Sequence, residues 1–253
     1  MRSILATPGA LLRDLEALAL PVACLGCGAF LPPGADGAGV CAACRSRMRT
    51  LPAPACRRCG QPLDPWDARP GDGARERCGL CRAWPESVAW AASAVWMVDG
   101  PARELVHALK YGGWRVAAAP MAAAIARACG ARLADVKLLV PVPLGARRLR
   151  SRGYNQAAVL ARALGERVGA RVDERLLARV RETRTQTALG PVERWANVEG
   201  AFAAAGDLAG AKVAVVDDVL TTGATLAACA AALAAGGAGA AGVVTFARAA
   251  VPG

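Results

Sequence analysis

Residues 215 to 225, VVDDVLTTGAT, set two adjacent carboxylates at the end of an apolar run and follow them with threonines and a glycine. Asp217 and Asp218 are acceptors suited to hydroxyls or a cation. Thr221, Thr222, Gly223, Ala224 and Thr225 offer hydroxyls and backbone N–H groups, and the glycine permits close approach of an anion. A helix opening at that point adds its dipole to the same site. Phosphate and carboxylate do not share one subsite, so the acidic pair serves hydroxyls or a cation, as expected if the ligand carries a sugar between its phosphates.

A second chemistry is written in sulfur. Of ten cysteines, eight form four CxxC pairs: Cys24 and Cys27, Cys41 and Cys44, Cys56 and Cys59, Cys78 and Cys81. A CxxC turn aims both thiolates at one ion, and two such knuckles supply four ligands at about 2.3 Å, so eight thiolates imply two structural Zn2+ ions. Sequential pairing of the knuckles is the natural arrangement, and an interleaved cross-brace is the alternative. Disulfides would require an oxidising compartment, whereas no secretory leader is legible. Four copies in Gly- and Pro-rich surroundings do not resemble a single redox site. Closed four-cysteine sites leave no position for water, so no zinc catalysis is expected. Cys129 and Cys229 lie alone in alanine-rich helical sequence.

The elements that must carry these groups follow from periodicity. Residues 10 to 20 space leucines for a docking helix, and 21 to 84 hold the knuckles, with Arg45, Arg47, Arg49, Arg57 and Arg58 between them read as a solvated face that could meet phosphates. From residue 85 to 253 short apolar runs alternate with helical stretches. VAWAASAVWMV, KLLVPVP, AKVAVVDD and GVVTFARA read as strands. PARELVHALKYGG, RGYNQAAVLARALGERVG and ATLAACAAALAAGG read as helices, the first with proline at its start and glycines at its end. Continuous apolar strands predict an α/β domain with a parallel sheet covered on both faces. VAVVDDVLTTGATL then becomes strand, loop and helix start, the order in which open α/β sheets bind ligands.

With 55% hydrophobic residues the 253-residue chain fills a core easily, and a formal charge of +11 points to anionic partners. The Ala- and Arg-rich composition matches GC-rich coding, so the charge alone does not name a partner. Two uncharged stretches, 17 to 35 and 219 to 247, fail as membrane spans because prolines and glycines break the first and alanine and glycine dilute the second. A cytoplasmic location with no transmembrane segment is expected. No GxxxxGK[ST] is present, and Gly237, Gly239 and Gly242 follow a helix rather than a strand, so they read as a cap and turn instead of a dinucleotide fingerprint.

VVDDVLTTGAT resembles the phosphoribosyl pyrophosphate (PRPP) motif of type I phosphoribosyltransferases. With the CxxC knuckles, HALKYGG, VPVPLGARRLRSRGYNQA and RTQTALGPVERWANVEGAF, nearly the whole chain is similar to the ComF family (competence protein F, a double zinc ribbon joined to a phosphoribosyltransferase domain). The resemblance implies ribose contacts from Asp217 and Asp218 and 5′-phosphate contacts from residues 221 to 225. It implies a pyrophosphate loop over residues 144 to 153, with Arg147, Arg148, Arg150, Arg152 and Gly153. It also implies a flexible loop bearing Gln186, Leu189, Arg194 and Asn197, and Mg2+ bound together with PRPP. An arginine-rich loop suits a diphosphate on physical grounds as well. Lys110 is a further anion contact to consider, while His107 is read as packing and Trp90, Trp96 and Trp114 as core or rim.

The implied reaction is transfer of a 5-phosphoribosyl group from PRPP to an acceptor with release of pyrophosphate. Glutamine is not expected as the amine source, because residue 2 is Arg and zinc knuckles stand where a glutaminase domain would be. The second implied role is natural competence: binding of incoming single-stranded DNA at the cytosolic face of the membrane, with competence or DNA-processing proteins, PRPP then serving as ligand or regulator.

Overall fold

The computed structural model describes residues 23–32, 39–63, 78–183, 190–206, 208–239 and 241–249. The docking helix at 10 to 20 and the loop residues Gln186 and Leu189 lie outside the described residues.

Five strands form one parallel sheet in the order β1-β7-β6-β2-β3, with β1 Val88–Met97, β2 Leu138–Pro141, β3 Arg171–Val172, β6 Val213–Leu220 and β7 Ala241–Ala249. Two further strands, β4 Leu177–Arg179 and β5 Phe202–Ala204, make a separate antiparallel pair. The described helices are α1 Ala42–Arg47, α2 Pro101–Lys110, α3 Ala118–Leu133, α4 Ala146–Arg152, α5 Gln156–Val168, α6 Pro191–Val198 and α7 Ala224–Ala235.

Strand alternation sorts the core into two layers. Ala214, Val216, Val244 and Phe246 face Leu105, Met121, Ile125 and Leu160 from the helices α2, α3 and α5. Val213, Val215 and Val243 face Leu226 and Leu233 of α7. Both faces of β6 and β7 are thus covered, which explains their uninterrupted apolar runs. The span from Arg115 to Leu133 is long and apolar enough to cross a membrane, yet half of it is buried, and its Met121 and Ile125 belong to this core.

The cysteine knuckles repeat one local design. In each, a backbone N–H after the second cysteine returns to the first cysteine's carbonyl, Gly28 to Cys24 and Gly60 to Cys56, both at 2.8 Å. Gly28 and Gly60 take φ of 73° and 68°, a left-handed turn that side chains resist. The first cluster packs into the α2–α3 layer and the second into the α7 layer, so the ribbons bracket the sheet instead of hanging from it.

Candidate functional site at the carboxyl edge of the sheet

The strand β6 outlasts its neighbour. Pairing with β2 ends at Pro141 and Val216, followed by one bond from Val142 N–H to the Val216 carbonyl at 3.0 Å. Asp217 and Asp218 therefore lie where that side of β6 has lost its partner strand, and both line a cavity of about 970 Å3. The sequence pattern ends the strand at the acidic pair, whereas the structure carries it on to Leu220, because β7 still pairs through Leu220 and Arg248.

Asp218 is 1% exposed. One of its carboxylate oxygens meets Lys110 Nζ at 3.0 Å; the other, Oδ2, is buried without a hydrogen-bond partner. Its own N–H donates to Asp217 Oδ1 at 2.9 Å. Desolvation, then the charge of Asp218, pushes the Asp217 carboxyl up to about 7, against the pull of Lys110. Desolvation opposes the charge on Lys110, but the two carboxylates hold its ammonium above its ordinary value. The pair is thus an acidic subsite with one internal cation and one unused acceptor.

Beyond it, Gly223 (φ 82°) caps the N-terminus of α7, and Thr221, Gly223, Ala224 and Thr225 line the cavity. Thr222 is set apart from them: it is 2% exposed and its Oγ1 accepts from Ala224 N–H at 3.5 Å, so its hydroxyl shapes the loop from within.

The opposite wall is cationic. Residues 144 to 153, expected as a loop, contain the helix α4, closed by Gly153 at φ 78° with its N–H on the Leu149 carbonyl at 2.8 Å. Helical spacing then divides the arginines: Arg147, Arg148 and Arg152 fall with Ser151 on the face that lines the cavity, whereas Arg150 lies on the other face. Neither Arg150 nor Gly153 is brought to the cavity. Lys110 and Arg194 line it; Asn197 does not. His107 is exposed and stacks on Tyr111 with ring centroids 5.0 Å apart, outside the cavity lining. Trp90 and Trp96 are half-buried, while Trp114 is 57% exposed beside the cavity-lining Gly112 and Gly113.

Among the wall residues that sequence reasoning missed are Arg179, at the end of β4, and Glu182. The Arg179 guanidinium lies 5.3 Å from the Phe202 ring centre, donates to Thr183, and buries Nε without a partner. The carboxylate of Glu182 lies against Gly145 and accepts weakly from Arg147 N–H at 3.4 Å. Arg179 closes a three-residue strand and Glu182 follows it in irregular chain, both too short for a periodic signal.

The cysteines form two clusters, Cys24, Cys27, Cys41 and Cys44, and Cys56, Cys59, Cys78 and Cys81. This is the sequential pairing, not the cross-brace. Sulfur separations of 3.5 Å (Cys59–Cys78), 3.7 Å (Cys56–Cys81), 3.8 Å (Cys78–Cys81) and 3.9 Å (Cys27–Cys41) bracket the edge of about 3.8 Å expected for a tetrahedron with 2.3 Å bonds. Burial, then charge on Cys78 and Cys56, pushes Cys81 up to about 11, so four thiolates coexist there only around a cation. Both clusters fit zinc. Cys129 and Cys229 are buried in α3 and α7, apart from either cluster.

Arg58, read as part of a solvated face, is instead buried: its guanidinium donates to the carbonyls of Cys81 at 2.9 Å, Pro85 at 2.7 Å and Val88 at 2.9 Å. It is a structural clamp, buried on backbone carbonyls and not part of a solvated face. Arg45 donates to the Val40 carbonyl at 2.6 Å.

Paired four-cysteine knuckles ahead of a parallel sheet with an acidic pair and a glycine loop at its edge define a zinc-ribbon protein with a phosphoribosyltransferase domain. Residues 15–82 match the double zinc ribbon domain family, and residues 149–251 match the phosphoribosyl transferase domain family. The chain is 33% identical over 196 residues to DNA utilization protein YhgH of Salmonella typhimurium, covering 75% of this chain and 81% of the relative. It is 30% identical over 200 residues to the Escherichia coli (strain K12) protein of the same name, with the same coverage. Competence protein F of Haemophilus influenzae is 29% identical over 202 residues, 74% of this chain and 81% of the relative. The chain belongs to the ComF family.

Proposed function

We propose that the cavity at the carboxyl edge binds PRPP together with Mg2+. The observation that carries this reading is Asp218: a buried carboxylate with Oδ1 on Lys110 and Oδ2 without a partner, at the edge of a cavity with a cationic opposite wall. An unused buried acceptor costs about 1–3 kcal/mol until a donor or cation meets it, and a ribose hydroxyl or Mg2+ is such a group. Asp217 and Asp218 hold the ribose hydroxyls and the ion. Thr221, Thr225 and the backbone N–H groups at the start of α7 hold the 5′-phosphate. Arg147, Arg148 and Arg152 hold the pyrophosphate, with Arg194 on the loop side. Bound Mg2+, held by Asp217 and Asp218, would neutralise charge on the departing pyrophosphate.

Turnover on this site breaks the bond from the anomeric carbon to the pyrophosphate oxygen and forms one from that carbon to an acceptor nitrogen or oxygen, which gives up its proton. The arginine face of α4 stabilises the departing anion, and the acidic subsite faces the positive charge that builds on the sugar. The test is calorimetric titration with PRPP and Mg2+, joined to pyrophosphate release in the presence of candidate amines and bases. Unchanged affinity in Asp217→Ala would overturn the site assignment.

A second role is favoured by the mouth of the cavity and by the names of the relatives, which speak of DNA utilization and competence. Tyr111 and Trp114 are 65% and 57% exposed, and Arg115 stands exposed beside Trp114 in the chain. Arg152 lies 5.5 Å from the Tyr111 ring centre. Exposed rings among arginines are the means by which single strands are held, by stacking and by phosphate contacts. Titration with single-stranded DNA over a salt series tests this: affinity should fall steeply with salt and drop in Trp114→Ala, and salt-independent binding would sink it.

A further inference from the structure

We infer that Trp84 is a positioning residue through which the second cysteine cluster holds the phosphate loop, so that metal in that cluster and ligand in the cavity stabilise one another. The inference rests on the PRPP reading for the identity of the ligand; the mechanical link is independent of it.

Trp84 follows the last cluster cysteine by three residues, and its N–H donates to the Cys81 carbonyl at 3.2 Å. Arg58 grips the same carbonyl and those of Pro85 and Val88, so the turn that carries Trp84 is fixed to the cluster at several points. The indole is 3% exposed and crosses 138 residues of sequence to donate Nε1–H to the Thr222 carbonyl at 3.2 Å. Its ring then covers Gly223. A Cβ at that position would lie 2.2 Å from Cζ2 and 2.7 Å from Cε2 of Trp84, so contact as well as the φ of 82° requires glycine there.

The floor of the phosphate loop is therefore furnished by the zinc ribbon. The same apolar cluster contains all four cysteines, Trp84, Leu220 before the loop and Ala224 after it. A second tie comes from the sheet: Arg248, fully buried at the end of β7, donates to the Cys59 carbonyl at 2.8 Å and twice to Gln61 Oε1. Four thiolates around a dication carry net negative charge, and this guanidinium, with that of Arg58, is a buried cation beside them. An emptied cluster loses the geometry that seats Cys81, and with it the seat of Trp84. By linkage, a ligand that orders the loop must hold the metal to the same degree.

The test uses the full chain loaded with two zinc ions. Zinc release to a zinc-selective chromogenic chelator is followed with and without PRPP and Mg2+, and PRPP affinity is measured for the wild type, Trp84→Phe and Trp84→Ala. In the wild type one ion should leave on the order of tenfold more slowly with PRPP, while the other leaves at an unchanged rate. Trp84→Phe should keep both ions, lose about tenfold in PRPP affinity, and show no protection of the slow ion. A wild type that takes no PRPP would overturn the ligand reading. A wild type that binds PRPP with neither ion protected, or variants within twofold of its affinity, would overturn the coupling. Should Trp84→Ala fail to fold, the wild-type release rates and Trp84→Phe decide the matter.

Discussion

Replacing Lys110 with alanine removes the cation from a subsite that holds two carboxylates. At 3.0 Å and an effective dielectric of about 20, attraction between Lys110 and Asp218 amounts to about 5 kcal/mol. Desolvation of the ammonium, whose side chain keeps 24% exposure, offsets roughly half of that, leaving about 2–3 kcal/mol of stability at pH 8. The penalty depends on pH with a definite sign. A carboxyl whose folded-state pKa lies above its unfolded value stabilises the fold below that unfolded value and loses the contribution as pH rises through the folded one. Asp217 already stands at about 7, and without Lys110 it rises further. The stability of Lys110→Ala should therefore fall more steeply than the parent's between about pH 6 and 8, with a penalty shrinking to about 1 kcal/mol near pH 5.5. Urea unfolding at several pH values reads this as a shift of midpoint at constant slope. A penalty below about 0.5 kcal/mol at pH 8, or one equal at both ends of the range, would refute the electrostatic account of the acidic pair.

Other parts of the site make separate predictions. Arg148→Ala should cost about tenfold or more in PRPP affinity by calorimetry, because a charge-assisted hydrogen bond is lost, whereas Arg150→Ala on the outer face of α4 should change it less than twofold. Affinity for PRPP with Mg2+ should climb from pH 6 to 8 as the proton leaves Asp217, and Asp217→Asn should flatten that rise beyond what the ligand's own phosphates contribute. Cys81→Ser should lower bound zinc from two ions to one by metal analysis and lower Tm by about 5–10 °C in a thermal scan, since that cluster is packed into the core of the sheet domain.

The parts of the fold that were legible in the sequence are those with local causes. The strand at Val213 shows as a run of valines, the loop after it as threonines and a glycine before an alanine helix, and the clusters as CxxC spacing. What escaped depends on distance along the chain. Trp84 reaches Thr222 over 138 residues, and Arg248 reaches Gln61 over 187; neither has a neighbour in sequence that announces the contact. Arg58 looked like one more surface arginine until the Cys81–Val88 turn closed around it. The strands β4 and β5 are three residues each, too short for alternation to register, so Arg179 went unnoticed. The arginines of residues 147 to 152 are legible in the sequence as a cationic group, but only a helix decides which of them can face one ligand.

A PRPP site formed by the acidic pair and the loop after it must bind its ligand in solution. Calorimetric titration of the zinc-loaded chain with PRPP and Mg2+, set beside Asp218→Asn, tests it most directly. One site per chain is expected, dependent on Mg2+ and lost or weakened at least tenfold in the variant. Absence of binding by the wild type, or equal binding by Asp218→Asn, would contradict it.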